Sequence, residues 1–299
     1  MSHTPRFGRI LTAMVTPFDG DGRVDLDLAA VLARRLVAEG NEGLVVCGTT
    51  GESPVLNDDE KLSMFAAVVE AVDVPVIAGT VGSDTAHSIE MSRRAEQLGV
   101  AGILALCPYY SRPSQSGIEG HFRAIASDVR LPLMIYDIPV RTGRKVSGDV
   151  LLRLAREVPN IVALKDAAGA PAETARLIAA APDGFEVYSG DDGLTLSLLA
   201  VGAVGTVGVA THWTAPDHVE MFDALAAGDL GRARAVNARM LPSFAFETGD
   251  DAPNPIPTKA MLRTLGLAVG QCRPPMGDAP AGIEDTARSV HAELVAARG

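Results

Sequence analysis

The sequence predicts an α/β fold: a closed eight-stranded parallel (βα) barrel with a C-terminal helical extension. Three observations predict it. Short apolar, β-branched runs recur at near-even spacing, and an amphipathic stretch of helical length follows each one. Eight such units joined by short loops suit a parallel sheet closed on itself. Beyond residue 229 the strand-like runs stop and helical patterns continue. The barrel domain is therefore assigned to residues 1–229 and a helical bundle packed on it to residues 230–299.

The first strand is expected over 10–15, followed by the loop Pro17-Phe18-Asp19-Gly20-Asp21-Gly22 and a helix over 25–39. The second, 43–47, leads through a turn to a helix opening at Asn57. Asn57 can cap that helix while Glu60 reaches back as in a capping box. The third strand (74–78) precedes a helix from near Asp84 to Gly99. The fourth (102–106) precedes a helix over 116–127, and the fifth (131–136) a helix over 147–157. The sixth ends in Lys165, and Pro171 suits the first turn of its helix. The seventh spans 185–189 with a helix over 194–200, and the eighth spans 203–209 with a helix from about Pro216 to Ala226. Further on, Asn254-Pro255-Ile256-Pro257 breaks one helix and opens another. Ile283, Ala287, Val290 and Leu294 repeat at helical spacing on a last helix.

Composition narrows the function classes. Hydrophobic residues make up 47% and charged residues 21%, ordinary for a globular chain with a sizeable core. The net charge of -11 disfavours nucleic-acid and anionic-membrane partners. No apolar stretch has the length to span a bilayer, and the first residues lack the apolar run of a signal peptide. Cys47, Cys107 and Cys272 are odd in number and lack CxxC spacing, which points to a reducing cytoplasm and away from a zinc site. Cys47 and Cys107 fall in apolar runs and read as core. The histidines show no metal-ligand spacing, and His212 and His218 are unassigned.

A barrel of this kind carries its chemistry at the C-terminal ends of the strands. The unusual residues lie there: Thr49-Thr50-Gly51-Glu52-Ser53, Tyr109-Tyr110, Tyr136 with Arg141, Lys165, and Ser189-Gly190-Asp191-Asp192. Three of the four tyrosines fall at these ends, whereas a structural use would scatter them. Lys165 closes the run Ile161-Val162-Ala163-Leu164. Taken alone it reads as a lysine that leaves the strand for water; in this company it reads as a nucleophile. Loss of hydration at the end of a buried strand disfavours the ammonium and yields an amine able to attack a carbonyl. Asp166 is a poor partner for it, because adjacent strand residues face opposite ways.

Imine chemistry on a keto group needs a proton shuttle, and Tyr136, Thr50 and one of Tyr109 or Tyr110 can supply it. Thr49 and Gly51 offer a hydroxyl and a backbone N–H to a keto acid's carboxylate, with the start of the following helix behind them. GTTGES lacks the Gly-Lys-Ser/Thr ending of a P-loop. Arg141 can hold a second carboxylate through its planar fork. Gly202, Gly205 and Gly208 have the wrong spacing for a dinucleotide loop and read as places of close approach.

GTTGES, CPYYSRPSQ, YDIPVRTG, the lysine strand, SGDD and NPIP, in that order from about Gly8 to Leu267, resemble the 4-hydroxy-tetrahydrodipicolinate synthases. These belong to the pyruvate-dependent class I aldolase superfamily that also holds N-acetylneuraminate lyase. The resemblance implies a TIM barrel with a C-terminal helical bundle, a homotetramer built from tight dimers, and no cofactor beyond a covalent imine. Its substrates would be pyruvate and L-aspartate 4-semialdehyde, in the diaminopimelate route to lysine. Lys165 then matches the Schiff-base lysine, Tyr136 the relay tyrosine, and Thr50 the threonine that links it to a second tyrosine. Tyr110 matches that tyrosine, which reaches into the neighbouring subunit's site. Thr49, Gly190 and Val207 match positions lining the site, and Arg141 the arginine for the aldehyde's carboxylate. Asp137, Asp166 and Gly208 stand where asparagine, glutamate and serine are common.

Two other readings compete. A sister lyase acting on a 2-keto-3-deoxy sugar acid or a neuraminate-like substrate would keep the lysine but usually lacks the RTG arginine and the paired tyrosines. A non-catalytic keto-acid sensor would have no need of both Lys165 and Tyr136. Feedback by lysine, which many synthases show, is expected to be weak or absent. The loop 54–61 has no histidine, and His87 stands where the resemblance places an acid for the ligand's ammonium group.

Overall fold

The computed structural model describes residues 4–298. Eight strands close in sequence order into a parallel barrel: β1 (Ile10–Ala13), β2 (Gly43–Val46), β3 (Val76–Ala78), β4 (Gly102–Leu106), β5 (Leu133–Asp137), β6 (Ile161–Asp166), β7 (Glu186–Ser189) and β8 (Gly205–Gly208). The helices that follow them are α1 (Leu26–Ala38), α2 (Asp58–Ala71), α3 (Thr85–Gln97), α4 (Gln115–Asp128), α6 (Gly148–Glu157), α7 (Pro171–Ala180), α8 (Thr195–Ala200) and α9 (Thr211–Ala226), with a one-turn α5 (Pro139–Thr142) before α6. Three further helices complete the chain: α10 (Leu230–Phe246), α11 (Ile256–Thr264) and α12 (Ile283–Ala296). The capping box at Asn57 and Glu60 forms as the spacing predicts.

Two elements depart from expectation. α5 carries Arg141 on a turn too short to show a period. α9 starts five residues ahead of Pro216, which lies inside it. Proline cannot donate to the carbonyl of His212, but Thr211 to Ala215 are all buried. Their burial outweighs one missing helical hydrogen bond.

The chain forms two compact units. One takes the described residues of Met1–Arg9 with Pro75–Val207. Its base is closed by the N-terminal segment: Arg6 N–H donates to Glu186 Oε1 at 2.8 Å, and Tyr188 Oη–H donates to Glu186 Oε2 at 2.8 Å. A Cβ on Gly205 would lie 2.5 Å from the carbonyl oxygen of Arg9 and 2.8 Å from the Tyr188 ring. That is the close approach its place in a strand implies, and it comes from the chain's own backbone.

The other unit takes Ile10–Val74 with the described residues of Gly208–Gly299. Here Asp217, fully buried, pairs with Arg239 of α10 at 2.7 Å and with Arg298 at 2.6 Å, which ties the C-terminal helices to α9. His212 Nδ1–H donates to the Val209 carbonyl at 2.7 Å, which leaves Nε2 to accept from Val15 N–H at 3.2 Å. Burial pushes this imidazole down to about 4. His212 is thus a neutral structural residue that bridges α9 to the segment after β1.

Candidate active site

Lys165 lies at the end of β6, 4% exposed, paired in register with Tyr136 on β5 and Tyr188 on β7. Paired residues of neighbouring parallel strands share a face, so the lysine and the phenol point the same way. The Lys165 Nζ sits 4.2 Å from the centre of the Tyr136 ring. Asp166 turns the other way, as strand alternation predicts, and accepts from Thr174 Oγ1–H at 2.5 Å and from Ala168 N–H at 2.9 Å.

Gly190 leaves room for the lysine. A Cβ there would lie 2.9 Å from Lys165 Cγ and 3.1 Å from Cε. Its N–H is held by the Asp166 carbonyl at 2.7 Å, so the backbone has little freedom to retreat. Val207 is buried on β8. Arg141 is exposed on α5 and has no carboxylate partner among the described residues, which leaves its guanidinium open to an incoming anion. Tyr110 is 95% exposed, with a left-handed backbone (φ 69°). Tyr109 is held by its backbone to Ser83. Tyr188, the tyrosine on the seventh strand, belongs to the closed base of the barrel.

In the other unit, Thr49, Thr50 and Gly51 form a tight turn after β2. Thr16 Oγ1–H donates to the Gly51 carbonyl at 2.6 Å, and Glu52 N–H donates to that of Thr49 at 3.0 Å. Cys47 (φ 53°) and Glu52 (φ 58°) both hold left-handed backbone, a strain kept only where surroundings over-determine it. The turn is followed by the 3-10 turn Ser53–Val55 and only then by α2. α2 then opens at Asn57, where the sequence places its start.

The grip on this turn comes from residues that pattern reasoning passed over. Lys259 Nζ pairs with Glu52 Oε1 at 2.6 Å, and Arg273 N–H donates to Glu52 Oε2 at 2.8 Å. Asn254 Nδ2–H donates to Thr50 Oγ1 at 3.1 Å. The sequence marks Asn254 only as part of a break between helices, and α11 receives no side-chain cap. No local signal links it to a residue 204 positions away. The cysteines are all free; burial pushes the thiols of Cys47 and Cys107 up to about 12, so both are inert core residues. Among the described residues no cluster of His, Cys, Asp and Glu could hold a metal ion.

Asp137, paired with Asp166 behind Tyr136 and Lys165, accepts from Val146 N–H at 3.1 Å. Burial pushes its carboxyl from 3.8 up to about 7. A pKa raised by folding favours the native state while the group is protonated. That contribution is complete below the unfolded pKa near 4 and is lost as pH rises through about 7. Asp137→Asn keeps an oxygen for Val146 and cannot ionise. Its stability in urea should match wild type near pH 4 and exceed it at pH 8 by on the order of 2–4 kcal/mol.

The profile of the dihydrodipicolinate synthetase family matches residues 6–295. A 4-hydroxy-tetrahydrodipicolinate synthase of Symbiobacterium thermophilum is 49% identical, over 97% of this chain and 98% of that protein. A dihydrodipicolinate synthase structure from Bacillus anthracis superposes with a TM-score of 0.92 at 41% identity, covering 96% of this chain and 98% of that one. Another from Cyanidioschyzon merolae, with lysine bound, gives 0.94 at 39% identity, covering 98% and 99%.

Proposed function

The chain belongs to the dihydrodipicolinate synthetase family, and on that premise we propose that it condenses pyruvate, held as an imine on Lys165, with L-aspartate 4-semialdehyde. The observation that carries this reading is the buried Lys165 amine set over the Tyr136 ring on the neighbouring strand.

The Lys165 amine attacks the keto carbon of pyruvate, and a carbinolamine forms. Its hydroxyl leaves as water once Tyr136 supplies a proton, and the C3 carbon of the imine then gives one up to form the enamine. That carbon bonds to the aldehyde of the semialdehyde, whose oxygen takes up a proton. The semialdehyde's own amine then attacks the imine carbon and displaces Lys165 as a free amine. Thr50 relays the protons that Tyr136 gives and takes. Thr49 and Gly51 hold the pyruvate carboxylate, Gly190 and Val207 line the keto acid, and Arg141 receives the carboxylate of the semialdehyde. The scheme uses no cofactor beyond the imine itself.

Tyr110 completes the relay from a second copy of the chain. Its 95% exposure on a strained backbone, together with Val140 at 86%, supports an assembly that covers this surface. We place the protein in the cytoplasm as a homotetramer made of two tight dimers. The free cysteines support a reducing compartment. No helix among the described residues is long and apolar enough to cross a membrane.

The test is turnover of pyruvate with aspartate semialdehyde, coupled to a reductase that consumes NADPH. Turnover should vanish in Lys165→Ala, and Arg141→Ala should lower kcat/KM for the semialdehyde at least about tenfold, as loss of a charged pair does. If wild type turns over nothing while borohydride still traps pyruvate on Lys165, the acceptor is another aldehyde. Millimolar L-lysine should leave the rate nearly unchanged, since His87 is exposed at the start of α3 where an ammonium ligand would need an acid. Tight inhibition in that titration would contradict the assignment.

A further inference from the structure

We propose that Asn254 is a positioning residue that sets the direction in which the Thr50 hydroxyl passes protons; this rests on the imine reading above. A threonine hydroxyl has one proton and two lone pairs. Asn254 Nδ2–H donates into one lone pair at 3.1 Å. An N–H donor cannot take the hydroxyl's own proton, so that proton is turned away from Asn254. Thr50 is thereby held as a donor to its next partner, with its second lone pair ready to accept. Thr50 is 3% exposed, so no bulk water competes for this bond.

The second observation is on the asparagine itself. Asn254 is 9% exposed, and its Oδ1 is buried with no hydrogen-bond partner among the described residues. A buried carbonyl left unpaired opposes folding, and a position kept only for packing would avoid it. The amide supplies no cap to α11 either. The hydrogen bond that accounts for an asparagine here is the one to Thr50. Its Oδ1 remains ready to accept from a donor that arrives with the reactants.

The substitutions Asn254→Ala and Asn254→Asp separate direction from mere presence. The first removes the donor; the second offers an acceptor of similar shape, which draws the Thr50 proton toward residue 254. Both should lower kcat at least about tenfold with KM for pyruvate changed less than about threefold, and Asn254→Asp should be the worse of the two at pH 8. The decisive measurement is a double-mutant cycle with Thr50→Val, read both as coupled turnover and as the rate at which borohydride traps pyruvate on Lys165. If Asn254 acts through the hydroxyl, Asn254→Ala should cost nothing further once Thr50 is valine. Additive losses would overturn the proposal, as would an unchanged kcat in both single variants. Melting curves of all four proteins exclude a loss of fold; a variant that does not fold is replaced by Asn254→Ser, which should restore part of kcat through its own hydroxyl donor. No trapping in wild type would remove the imine reading and this one with it, whereas normal wild-type trapping with additive losses would remove only the role of Asn254.

Discussion

Lys259→Met should destabilise the chain by about 3–5 kcal/mol, the cost of leaving a buried charge without its partner. Lys259 is fully buried and Glu52 is 3% exposed, so neither charge can turn to water. The lysine also rests 4.0 Å over the Phe18 ring and donates to the Gln271 carbonyl at 3.1 Å. Burial lowers its pKa while Glu52 opposes that shift, so the ammonium depends on the carboxylate. With methionine at 259, Glu52 keeps the Arg273 N–H but loses the compensating charge. The double variant Glu52→Gln with Lys259→Met removes both charges and should regain most of the loss in urea unfolding. If the single and double variants are equally unstable, the pair matters for shape rather than charge. The single variant should also lose activity, because Glu52 is the left-handed corner on which the Thr49-Thr50-Gly51 turn depends.

Gly190→Ala should lower kcat by about a hundredfold or more while leaving the fold intact. The added carbon would lie 2.9 Å from Lys165 Cγ and 3.1 Å from both Lys165 Cε and Ala167 Cβ. The flexible lysine has to yield, and it yields at the atoms that place Nζ. Displacement of a reacting group by about 1 Å is enough for a loss of this size. The rate of borohydride trapping of pyruvate on Lys165 reads the displacement directly. Near-normal trapping in a folded Gly190→Ala variant would show that the amine tolerates the crowding.

The strand-helix alternation, the order of the strands and the position of Lys165 were legible in the sequence, because each is a local property. Strand runs, caps such as Asn57 with Glu60, and first-turn proline at Pro171 act over a few residues, and the structure has them where the pattern places them. Parallel pairing then puts Tyr136 beside Lys165 and sends Asp166 to the far face. The start of α9 was not legible, because a local proline signal was overruled by burial that only the tertiary fold supplies. The one-turn α5 was too short to show a period at all.

What the tertiary structure alone decided lies in pairs far apart in the chain. Glu52 with Lys259 and Thr50 with Asn254 are each more than two hundred residues apart. His212, which the sequence leaves unassigned, has both ring nitrogens satisfied by backbone, and Tyr188 on the seventh strand is held by Glu186. The reason is physical. A side chain's type and its neighbours in sequence determine what chemistry it can do, whereas its hydrogen-bond partners and hydration depend on which distant segments fold against it.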